Sequence, residues 1–178
     1  MQPKLSLHKP KTFPNAITRL KQMHEALLED GEFPAPTTVH YVEVIHGTGA
    51  SGHSHYYSAA DYEANKGEGE EDHDHYPGEH DHEEHETVKQ RSMEVDLRTE
   101  LTDVVRWLPD IAAKSDLNET AWNSVDSISG RLTEIINAIE ADAADDSFRA
   151  TWKLKSKEID SMLGELQSHV ATSSGESK

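Results

Sequence analysis

The chain has no cysteine among its 178 residues. That absence excludes disulfides, thiolate metal sites, cysteine nucleophiles and iron–sulfur clusters held in the usual way. Positive charge is scarce as well: 17 Lys and Arg stand against 34 Asp and Glu, for a formal net charge of -17. Nucleic-acid backbones and anionic membrane surfaces need basic patches, so neither is expected as a partner. No apolar run approaches the length that spans a bilayer, so no membrane insertion is expected. The start, Met1-Gln2-Pro3-Lys4, lacks the apolar stretch of a signal peptide. The chain therefore reads as cytoplasmic, or as periplasmic or extracellular if it is a mature form whose signal peptide has been removed.

What the chain has in excess is histidine. Nine of its 12 histidines lie between His40 and His85. From Asp61 to Glu86 there are 12 acidic residues and one basic residue, Lys66, so most of the negative charge sits there.

Apolar periodicity organises the rest. Ile17, Leu20, Met23, His24, Leu27 and Leu28 recur at helical spacing, with Pro14 suited to a first turn. Gly31, Pro34 and Pro36 end that helix. A second stripe runs from Val95 through Leu97, Leu101, Val104, Val105 and Leu108, to be broken or kinked at Pro109. A third helix carries Trp122, Val125, Ile128, Leu132, Ile135, Ile136 and Ile139, capped by Asp116 or Asn118. Gly130 inside it suggests close packing against a neighbour. A fourth, opened by Asp145 or Ser147, carries Phe148, Trp152, Ile159, Met162, Leu163, Leu166 and Val170. The expected fold is mainly α: a small four-helix bundle in one domain, with a long excursion between the first and second helices.

That excursion has two parts. Residues 37-63 read as a β-ribbon: β-branched and aromatic residues run from Thr37 to His46, a glycine-rich turn follows, and His53 to Tyr57 return. Residues 64-86 form a low-complexity His/Asp/Glu-rich loop, expected to be disordered without metal. The core of such a bundle is near the lower limit for self-sufficiency. Val42, Val44 and Tyr57 of the ribbon can add cover, or a homodimer or other protein partner can do so.

Two sets of candidate ligands follow. On the ribbon, His40 and His46 have even spacing and share a strand face, as do His53 and His55. The four imidazoles are expected to converge across the turn into a site for a borderline divalent ion. Copper or zinc is the first expectation and nickel the alternative. Glu43, at odd spacing, points the other way. His24, on the apolar face of the first helix, is either a core histidine or a further ligand beneath the ribbon. In the loop, His73, His75, His80, His82 and His85 alternate with carboxylates and are expected to chelate several ions with modest affinity.

Two enzyme patterns fail. His82-Glu83-Glu84-His85-Glu86 lacks the second histidine four residues after the first. Glu79 and His82 have di-iron spacing but no second such pair on the helices. The function expected is a transition-metal-binding protein in metal buffering, delivery or sensing. The alternatives are a helical protein–protein interaction module with an acidic spacer, and a copper- or zinc-dependent metalloenzyme.

Overall fold

A computed structural model describes residues 7–46, 53–65, 86–139 and 144–173. Its elements, in chain order, are α1 (Phe13–Leu28), β1 (Thr37–His46), β2 (His53–Ser58), α2 (Ala59–Asn65), β3 (Glu86–Val95), α3 (Leu97–Ala113), α4 (Glu119–Asn137), α5 (Asp145–Leu154) and α6 (Ser156–Ser173). The expected four-helix bundle with one inserted ribbon is therefore corrected. The described residues form six helices and a three-stranded antiparallel sheet, a mixed α/β architecture.

Three segments account for the difference. The expected loop ends at Glu86 and the expected second helix resumes near Ser92, but Glu86–Val95 is a strand. Its polar, charged composition fits a sheet-edge position, exposed along most of its length. Ala59–Asn65 turns from the ribbon into a short helix because Ser58 caps it. The Ser58 hydroxyl accepts the Asp61 amide and donates to the Asp61 carboxylate. The fourth expected helix is two, α5 and α6, separated at Lys155. The seven-residue step from Trp152 to Ile159 preserves the apolar stripe across the break, which is why the pattern reads as continuous.

The chain forms two compact units. One comprises the described residues of Met1–His8 and Thr38–Glu94, and the other those of Lys9–Thr37 and Val95–Lys178. In the helical unit, α1, α3, α4, α5 and α6 bury one continuous core. Ile17, Leu20 and Leu27 of α1 join Leu101, Val105 and Leu108 of α3, Val125 and Leu132 of α4, Trp152 of α5 and Ile159 and Leu166 of α6. Each such side chain contributes roughly 1.5–3 kcal/mol when fully buried.

Polar groups tie these helices at specific points. The Arg19 guanidinium makes paired hydrogen bonds to Glu100 at 2.6 Å each, and the buried Glu100 carboxylate also accepts from Thr37 Oγ1 at 3.0 Å. The Glu100 hydrogen bond raises the Arg19 pKa further, against the opposing effect of burial. This clamp joins α1, α3 and the residue at which the chain leaves the helical unit. Where the chain returns, Asp96 caps α3, accepting from the Thr99 amide at 3.0 Å and the Thr99 hydroxyl at 2.7 Å. Burial pushes the Asp96 carboxyl up, but these hydrogen bonds and further backbone amides outweigh it and hold its pKa below the ordinary value.

Pro109 does not end α3, which continues to Ala113. Proline has no N–H to give the carbonyl of Val105. That carbonyl instead accepts the Ser129 hydroxyl of α4 at 2.8 Å, while the Pro109 carbonyl accepts Trp122 Nε1 at 3.1 Å. The turn after α1 uses Gly31 at φ 129°, a conformation that favours glycine. Arg149 of α5 donates to the Gly31 and Glu32 carbonyls at 2.6 and 2.8 Å.

The expectation of close packing at Gly130 is not met: a Cβ there, or at Gly164, would touch nothing within 4 Å. Gly130→Ala and Gly164→Ala should therefore each stabilise the protein, by up to about 1 kcal/mol, read as a higher urea midpoint at unchanged slope. Asp96→Ala should cost about 1 kcal/mol at neutral pH. Because the folded Asp96 pKa is lowered, its contribution is present above the unfolded value and lost as pH falls through the folded one. The difference between wild type and variant should accordingly shrink in acid.

Candidate metal centre

β1 and β2 form an antiparallel hairpin in which His46 faces His53, Val44 faces His55 and Val42 faces Tyr57. Side chains alternate along a strand, so this register puts His46, Val44 and Val42 on one face with His53, His55 and Tyr57. Three imidazoles meet at the connected end of the hairpin, where β1 ends and β2 begins. The ring centres of His46 and His53 are 5.4 Å apart, those of His46 and His55 5.4 Å, and those of His53 and His55 5.1 Å. His46 and His53 are stacked at 26°, and His55 stands edge-on to both, at 74° and 82°. His53 and His55 are exposed and His46 half-buried, so their rings have room to turn. As the rings stand, no group of three or more His, Asp or Glu among the described residues is set to hold a metal ion.

The row continues along β2. The ring of Tyr57 lies 6.2 Å from that of His55, and Tyr62 of α2 lies 6.4 Å from Tyr57. The opposite face is of another kind. Tyr41 and Tyr56 meet edge to face at 6.0 Å, and Glu43 pairs with Arg91 Nε of β3 at 3.0 Å and accepts from the Tyr56 hydroxyl at 3.5 Å. Glu43 thus lies on the face away from the imidazoles, as its odd spacing requires. Its partner Arg91 was not foreseen, because residues 87–91 lie between the expected loop and the expected second helix.

The other expected ligands divide into three groups. His40 is exposed and shares the imidazole face. Six residues of strand separate it from His46, however, about 20 Å, far beyond the reach of one ion. The expected convergence of four ribbon histidines is thus reduced to three. His24 is a core histidine. It is 3% exposed; its Nδ1 accepts from Trp152 Nε1 at 3.0 Å, which leaves the proton on Nε2 to be donated to Asp160 Oδ1, also at 3.0 Å. Both ring nitrogens are occupied, so neither has a lone pair free for a metal. The gap beside it, lined by Leu20, Leu101, Val105, Leu132, Trp152, Ile159 and Leu163, is too small for water. His73, His75, His80, His82 and His85 lie outside the described residues.

The two kinds of histidine should respond differently to substitution. His24→Leu leaves the buried Trp152 N–H without an acceptor and should cost about 1–3 kcal/mol in urea denaturation. His53→Gln, on the exposed end of the hairpin, should change metal-free stability by less than about 0.5 kcal/mol. Among the described residues, no helix is long and apolar enough to cross a membrane. No family model, no curated protein and no solved structure matches this chain.

Proposed function

We propose that the protein binds a divalent transition metal at the connected end of the hairpin through His46, His53 and His55, and acts in metal buffering, delivery or sensing. The observation that carries this reading is the mutual separation of the three rings, 5.1 to 5.4 Å. Imidazole nitrogens bound to one ion at about 2.0–2.1 Å place their ring centres roughly 5 Å apart in a tetrahedral arrangement. The ring positions suit an ion, and the stacked pair must rotate to present its nitrogens. The χ2 torsion that turns a histidine ring is broad rather than confined to narrow staggered wells.

Ligand chemistry narrows the ion. Three neutral imidazoles without sulfur favour zinc(II) or copper(II), with nickel(II) as alternative. Three protein ligands leave a coordination position for water or a carried ligand, which suits exchange better than permanent storage. The histidine-rich acidic tract adds a second mode, weaker and less selective. Its carboxylates draw cations in.

The two modes separate in a titration. With His73, His75, His80, His82 and His85 all changed to Gln, the full chain should retain one zinc or copper site tighter than micromolar. Adding His53→Gln and His55→Gln should weaken that site at least tenfold, about 1.4 kcal/mol. Imidazole ligates only as the neutral base, so affinity should fall as the solution is acidified. Binding that vanishes with the tract histidines and ignores His53 and His55 would leave only the scavenging mode.

A further inference from the structure

We infer that the ion at His46, His53 and His55 is a folding ligand of the sheet unit, so that metal loading is converted into ordering of the β1–β2 hairpin. The inference rests on the metal-binding reading above and specifies its regulatory consequence: sensing rather than passive storage.

Two observations carry it. The first is how little apolar burial the sheet unit has. Of its described side chains, only Val42 and Val44 are buried; the rest of Thr38–His46, β2, residues 59–64 and Thr87–Glu94 is half-buried or exposed. The helical unit, by contrast, has a continuous core drawn from five helices. Small sheets depend on a shared apolar face, and this one has two residues at its centre.

The second observation is where the imidazoles sit. His46 is the last residue of β1 and His53 the first of β2, and they face each other. His55 faces Val44, one of the two buried valines. An ion shared by these three rings bridges the strands at the connected end of the hairpin, next to its buried apolar pair. It binds only when the strands are in this register, because a one-residue slip sends His46 to the opposite face. A ligand that binds the ordered state and not the disordered one stabilises order by mass action.

Amide hydrogen exchange on the full chain, with zinc(II) as the probe, tests this. One equivalent of zinc should slow exchange in β1 and β2 at least tenfold and leave α1 and α4 within twofold of the metal-free rates. The slowing should disappear in the His53→Gln/His55→Gln double variant and, as an independent check, in His46→Gln. Metal-free exchange of these variants should match that of metal-free wild type, which shows that they fold. If zinc binds through the three histidines and hairpin exchange does not change, the inference is overturned while the binding site stands. If the double variant binds zinc as wild type does, the binding reading falls and the inference with it.

Discussion

The register of β1 on β2 is the constraint on which the candidate site depends. Opposing His46 to His53 places both on one face, and strand alternation then adds His55 and excludes Glu43. The same register builds the other face, where Tyr56 stands opposite Glu43 and Arg91 reaches the same carboxylate. A shift of one residue would exchange the two faces and scatter the imidazoles. The sheet's two buried valines and its cross-strand pairs hold this register, and a shared ion would hold it more firmly.

The helical unit secures the two points where the chain leaves and returns. Thr37 is tied into the Arg19–Glu100 pair, and Asp96 opens α3 with its carboxylate on the Thr99 amide and hydroxyl. Inside the unit, two of the polar groups have specific long-range partners. Ser129 supplies the hydrogen bond that Pro109 denies to Val105, and His24 serves as acceptor for the indole of Trp152. Leu154 and Val88 are the large apolar side chains left exposed among the described residues.

Much of the helical unit was legible in the sequence because its apolar residues repeat at helical spacing and its caps are the usual ones, Thr12, Asp96 and Asn118. The break between α5 and α6 was hidden, since seven residues from Trp152 to Ile159 preserve the helical phase. β3 was hidden for a different reason: an edge strand can be polar on both faces, so its alternation carries little apolar contrast. At the site, even spacing paired His40 with His46 and His53 with His55, but spacing gives a face within one strand and neither a cross-strand register nor a distance. His40 therefore seemed to belong to a cluster from which strand length removes it. The role of His24 depended on Trp152, 128 residues away, which no local pattern reveals.

The central claim is that three particular imidazoles share one ion. Nitrogen-15 NMR of the histidine rings during substoichiometric zinc addition tests it most directly. The account predicts that the ring nitrogens of His46, His53 and His55 shift first and together, while those of His24 and His40 do not move. Early shifts confined to His73, His75, His80, His82 and His85, with the hairpin rings unchanged, would contradict it.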